Sequence, residues 1–133
     1  MSGSRPLPLP DNDTAFYWAG GLRGELLIAR CTRCGRYVHP PRSGCDACGG
    51  PTQPSPVSGR GIVHSYTVTH RPLPGFTPPF GVVLVELEEQ AGLRLVSNLV
   101  DVAPEDITIG LPVQVVFERL ADDVALPLFR RRE

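Results

Sequence analysis

The chain has 133 residues, enough for one ordinary domain with a modest core and a small appendage, and too few for two independent cores. Thirteen basic and fourteen acidic side chains leave a formal charge of −1, so the long-range cationic field behind sequence-independent nucleic-acid binding is missing. The longest apolar runs, Val82 to Val85 and Leu26 to Ala29, fall far short of the roughly 20 residues that cross a bilayer and exclude a spanning helix.

Fifteen prolines, fourteen glycines and 20% charged residues predict a loop-rich β domain. Met1 to Pro10 alternates proline with leucine and reads as an extended arm that orders against a partner. It has no apolar run of the kind a secretory leader needs, which points to the cytoplasm and to reduced thiols. Asp11, Asn12 and Asp13 are good N-cap residues for a short helix over Thr14–Ala19, which Gly20 and Gly21 are expected to end. Phe16, Tyr17 and Trp18 on that helix cannot all face one way; they either cap the core or anchor another subunit. A second short amphipathic piece is expected over Leu22–Leu27.

The four cysteines fall into two knuckles, Cys31-Thr-Arg-Cys34-Gly35 and Cys45-Asp-Ala-Cys48-Gly49, separated by ten residues. Each Cys-x-x-Cys closes a turn that presents two sulfurs, and two such turns complete a tetrahedral four-thiolate site. The glycine after each pair suits a position of positive φ and lets N–H groups approach the sulfurs. Two disulfides, a redox pair and a rubredoxin-type iron are the competing readings; the doubled spacing favours one structural zinc ion. Four cysteine ligands leave no coordination position open for water or substrate, so the metal stabilises and does not catalyse.

Pro51–Ser58 reads as a proline-rich linker. From Gly61 the periodicity becomes two, with Ile62, His64, Tyr66 and Val68 on one strand face and Val63, Ser65, Thr67 and Thr69 on the other. Arg71–Pro79 is a long loop. Strands over Phe80–Glu89 and Leu93–Val100 form a hairpin about Gln90-Ala91-Gly92. A connection with a turn at Pro104-Glu105-Asp106 leads to a strand over Leu111–Arg119, with Val113, Val115 and Phe117 inward, and a last short strand lies near Leu126–Phe129. Five strands in this arrangement predict a mainly β chain: N-terminal arm and short helices over 1–28, a rubredoxin-like zinc ribbon over 29–56, and a five-stranded OB-fold barrel with a tail over 57–133.

This order of features resembles a known family. The residues that carry the likeness are Leu26-Leu-Ile-Ala-Arg-Cys31 running into the ribbon, Pro40-Pro41-Arg42 between the knuckles, Gly59-Arg-Gly61-Ile-Val-His-Ser-Tyr-Thr67 opening the barrel, and Gly110-Leu-Pro-Val113 near its end. The chain is similar, from about Asp11 to Phe129, to the zinc-ribbon and OB-fold family of acyl-CoA-associated proteins known as domain of unknown function thirty-five. The resemblance implies a non-catalytic partner of a thiolase-superfamily enzyme, such as a thiolase or a steroid side-chain aldolase. It further implies a two-plus-two heterotetramer and an acyl-CoA channel shared with the partner.

The residues themselves offer little chemistry. With the cysteines committed to metal, His39, His64 and His70 cannot assemble a Cys-His nucleophile. His64 reads as a core or interface histidine, and His39 as packing beside Pro40-Pro41. His70 and Arg71, at the mouth of the long loop, are candidates for meeting a phosphate-bearing ligand. Glu86, Glu88 and Glu89 read as a solvent-facing edge. Arg130-Arg131-Arg132 reads as a disordered tail or a contact for an acidic partner or coenzyme A phosphates. The alternative function, an OB-fold module for single-stranded nucleic acid, needs a basic groove with stacking aromatics, and the chain contains no lysine.

Overall fold

The computed structural model describes residues 15–42, 44–71, 78–122 and 124–132. Helix α1 (Ala15–Leu22) is followed by a three-stranded antiparallel sheet made of β1 (Leu26–Cys31), β2 (Tyr37–Val38) and β3 (Thr52–Val57) in the order β2-β1-β3. Five further strands, β4 (Arg60–Thr69), β5 (Phe80–Leu87), β6 (Arg94–Val100), β7 (Pro112–Ala121) and β8 (Val124–Arg131), close into a barrel in the order β4-β5-β6-β8-β7. The mainly β architecture of a ribbon followed by an OB-fold is as the sequence predicts. The expected Asp11–Asp13 cap, Thr14 and most of the 71–79 loop lie outside the described residues. No helix among the described residues is long and apolar enough to cross a membrane.

Four local expectations are corrected. Gly20 and Gly21 do not end the helix; it runs through them to Leu22. A Cβ on Gly21 would stand 2.7 Å from the Ala125 carbonyl oxygen, so glycine here is demanded by the close approach of α1 to β8. The segment Leu22–Leu27 is not a second helix but the end of α1, a turn and the start of β1. Pro51–Ser58 is not a linker: Thr52–Val57 pairs with β1 from Cys31↔Thr52 to Leu26↔Val57. Pro54 and Pro56 are tolerated because β3 is an edge strand, where a missing N–H breaks no second ladder. In β4 the register shifts between Val63 and Ser65, a bulge that breaks the expected alternation; Val63 is fully buried, while His64 through Thr67 are exposed on the far side of the break.

Strand β5 keeps strict alternation, burying Gly81, Val83, Val85 and Leu87. These pack with Leu95 and Leu99 of β6, Val113 of β7 and Phe129 of β8. Leu26, Ile28 and Tyr37 of the ribbon belong to the same cluster, so ribbon and barrel share one hydrophobic core. A smaller cluster of Ala29, Cys31, Val38 and Cys45 surrounds the knuckles, with Phe16 packed on it.

Candidate metal centre and the adjoining groove

The two knuckles repeat one turn. Gly35 N–H donates to the Cys31 carbonyl at 3.0 Å and Gly49 N–H to the Cys45 carbonyl at 2.9 Å. Both glycines have positive φ, 80° and 74°, as their place after each pair predicts. These turns direct N–H groups at sulfur: Arg33 and Cys34 donate to Cys31 Sγ at 3.4 Å, Ala47 to Cys45 Sγ at 3.3 Å and Gly50 to Cys48 Sγ at 3.4 Å.

The four sulfurs lie within 4.8 Å of one another. The closest pairs cross between knuckles, Cys31 to Cys48 at 3.5 Å and Cys34 to Cys45 at 3.7 Å. A tetrahedral thiolate site with bonds of about 2.3 Å has sulfur–sulfur edges near 3.8 Å, so the cluster is the size of a metal site and too open for disulfides. All four cysteines are free.

Electrostatics make the same point. The Cys34 N–H, with help from that of Arg33, draws the Cys31 thiol down to about 6, whereas Cys34 is held up at about 11. The Arg36 N–H favours a Cys34 thiolate, but desolvation and the neighbouring sulfurs outweigh it. The N–H groups of Ala47 and Cys48 lower Cys45 as well, and a cation among the sulfurs would offset the crowding that resists ionisation of Cys34. Zinc suits the donor set. When bound, it would offset two of the four thiolate charges and lock the two turns through Cys31, Cys34, Cys45 and Cys48.

The aromatics of α1 divide their work. Phe16 faces the knuckle cluster and Tyr17 the main core. Trp18 lies edge-on to Tyr17, with ring centroids 4.8 Å apart, and the His39 ring lies 5.8 Å from that of Tyr17. Tyr17, Trp18, His39, Pro40, Pro41, Arg94 and Val96 line an open groove of about 410 Å³ where helix, ribbon and barrel meet. Val96 is 73% exposed at its edge. Trp18 Nε1 and His39 Nδ1 are buried without a hydrogen-bond partner, and burial pushes the His39 pKa below its ordinary 6.5.

Other candidate residues fall elsewhere. His64 is exposed on β4, so of the core and interface readings only an interface role fits it. Glu86 receives Arg94 Nε–H at 3.0 Å, which, with the Gly92 backbone N–H, holds its carboxyl below the usual range. Glu88 accepts from Arg60 at 2.9 Å and from Ser58 Oγ at 3.1 Å. Glu86 and Glu88 form ionic clips on the barrel rim, whereas Glu89 departs from the expected solvent-facing edge: it accepts the Ser58 N–H at 2.7 Å and its Oε1 is buried. His70 and Arg71 are exposed at the end of β4. Arg130 and Arg131 are not a disordered tail but the last residues of β8.

The sequence reading missed Gln90. Its Oε1 accepts the Tyr37 N–H at 2.8 Å and its Nε2–H donates to the Tyr37 carbonyl at 3.0 Å, clamping β2 of the ribbon to the β5–β6 turn. A glutamine in a turn rich in glycine and alanine carries no local signal for a contact 53 residues away.

A four-cysteine ribbon fused through a common core to a five-stranded OB-fold defines a zinc-ribbon and OB-fold protein. Residues 18–52 match the family described as "ChsH2, rubredoxin-like zinc ribbon domain", and residues 55–118 match "ChsH2, C-terminal OB-fold domain". A "DUF35 domain-containing scaffold protein" of Methanocaldococcus jannaschii is 36% identical over 74% of this chain and 71% of its own length. The chain belongs to this family. It is also 41% identical, over 95% of its residues, to a "Probable enoyl-CoA hydratase alpha subunit" of Thermomonospora curvata. The "3-oxo-4,17-pregnadiene-20-carboxyl-CoA hydratase alpha subunit" of Mycobacterium tuberculosis is 39% identical over 83%. The chain spans only 40% and 35% of those two proteins. A chain of the solved "Ltp2-ChsH2(DUF35) aldolase" superposes with a TM-score of 0.86 at 39% identity, covering 94% of this chain and 98% of that one.

Proposed function

We propose that this protein is an accessory subunit of an acyl-CoA-processing enzyme, docked on a thiolase-superfamily partner that performs the chemistry. The observation that carries the reading is the match to nearly the whole of a chain from an aldolase complex. The site inventory agrees with it: the cysteines are committed to metal, Glu86 and Glu88 are paired with arginines, and no nucleophile stands beside a base among the described residues.

In this reading the pair forms a two-plus-two heterotetramer in the cytoplasm, where thiols stay reduced. The groove edge and the helix bearing Phe16, Tyr17 and Trp18 supply the docking face, and the barrel helps wall a channel for the thioester. Names of the hydratase relatives point to a steroid-type acyl group.

The test is to purify the chain with and without a thiolase-like protein encoded in the same genome. Light scattering on the mixture should give a complex with two copies of each chain, and thioester cleavage should require the partner. Turnover of an acyl-CoA by this chain alone, or two proteins that stay apart at micromolar concentration, would reject the reading.

A further inference from the structure

Strand β8 ends in three consecutive arginines, and the register fixes their place. Arg130 stands opposite Gln114 of β7 and Val100 of β6, and Arg131 opposite Val113. Arg131 keeps the parity of Phe129, which is fully buried, so the strand carries it to the mouth of the barrel as the apolar interior ends. Arg130, Arg131 and Arg132, with Asp101 and Gln114, border an open cavity of about 730 Å³.

The charges of this cluster are left largely unanswered. Arg23, Arg36, Arg60, Arg94 and Arg119 each have a carboxylate within 4 Å. Among the described residues Arg132 has one, Glu88 at 4.0 Å, and no carboxylate pairs with Arg130 or Arg131. Asp101 borders the cavity, and among the described residues no guanidinium comes within ion-pair distance of it. Neighbouring guanidiniums repel one another, and an anion bound between them relieves that repulsion.

We propose that this cluster is a phosphate site that takes the nucleotide end of a coenzyme A thioester. The inference rests on the acyl-CoA reading above and adds to it the residues that hold the ligand's charged head. Coenzyme A carries a 3′-phosphate and a pyrophosphate, and guanidinium forks match phosphoryl oxygens two at a time. The cavity is within the usual range of about 300–1,000 Å³ for small-ligand sites. Its lining of guanidiniums, one amide and one carboxylate suits a charged head and not an acyl chain.

Two measurements test the site. Adenosine 3′,5′-bisphosphate titrated into the isotopically labelled full chain should move the backbone amides of Asp101, Gln114 and Arg130 to Arg132, and salt raised from about 50 to about 300 mM should weaken binding several-fold. Coenzyme A titrated into the complex should bind about tenfold more weakly when Arg130→Gln and Arg131→Gln are combined, while Arg131→Lys, which keeps the charge but loses the fork, retains only part of the affinity. Unmoved amides in a folded chain overturn the site, as does unchanged coenzyme A affinity in the double variant. A double variant that loses assembly but not coenzyme A assigns the arginines to the protein partner and overturns it equally. If no thiolase-like partner binds at all, the acyl-CoA reading fails, and the titration of the lone chain still decides whether the phosphate site exists.

Discussion

The carboxamide of Gln90 uses both of its ends on one ribbon residue, Tyr37, and removing it strands a buried N–H and a carbonyl together. An unsatisfied buried group costs about 1–3 kcal/mol, so Gln90→Ala should lower Tm by roughly 4–10 °C with metal content unchanged. A melting curve that superposes on the wild type would show that the clamp contributes nothing. His39 supplies the pH dependence at this scale. Burial keeps its folded-state pKa below 6.5, so the unfolded chain takes up a proton that the native imidazole refuses. Its contribution is complete above 6.5 and declines as pH falls from there toward the lowered folded value. Protons also compete for the cysteine thiolates in acid, so the comparison must be with a variant: His39→Gln should flatten the loss of stability below pH 6.5 relative to wild type. Parallel pH–stability curves for the two proteins would remove His39 from the account.

Among the elements, the ribbon has the sharpest metal dependence, since besides the four sulfurs its two knuckles are tied by the exposed Arg36–Asp46 pair and the Thr32 N–H to Pro51 bond. Cys45→Ser should lose the metal, and with it roughly 10 kcal/mol of apparent folding free energy. Because Leu26, Ile28 and Tyr37 lie in the barrel's core, the loss should appear as one lowered, cooperative transition of the whole chain and not as a separate early melting of the ribbon. Retention of one zinc per chain in Cys45→Ser, or two resolved transitions after chelation, would count against this. The knuckles and the β5–β6 hairpin were legible in the sequence because their signals are local: a fixed cysteine spacing, and alternation that the strand obeys without interruption. Other elements are set by what lies opposite them. Prolines at 54 and 56 look like a linker until β1 offers them an edge, and Gly20-Gly21 looks like a helix stop until Leu27 and Ala125 press against it. The β4 bulge leaves no mark at all in Val63-His64-Ser65, and so the alternation expected beyond it fails, with Ser65, Tyr66 and Thr67 all exposed.

At the scale of the whole molecule, the groove joins three elements far apart in sequence: Trp18 from the helix, His39 to Pro41 from the ribbon and Val96 from the barrel. None of these positions is conspicuous alone, which is why only the helix aromatics could be singled out from the sequence as a docking surface. Val96 distinguishes docking from stability, because a side chain 73% exposed on a strand contributes little to the core. Val96→Asp should therefore leave Tm within a few degrees of wild type and the zinc content at one. If the groove meets the partner, the same substitution forces a carboxylate into an apolar contact, and assembly should weaken at least tenfold, about 1.4 kcal/mol. Surface binding measurements with the thiolase-like protein immobilised would read that change directly. Undiminished affinity in a folded, zinc-loaded Val96→Asp chain would move the interface off the groove and onto another face, the exposed Ile62 and Tyr66 of β4 being the next place to test.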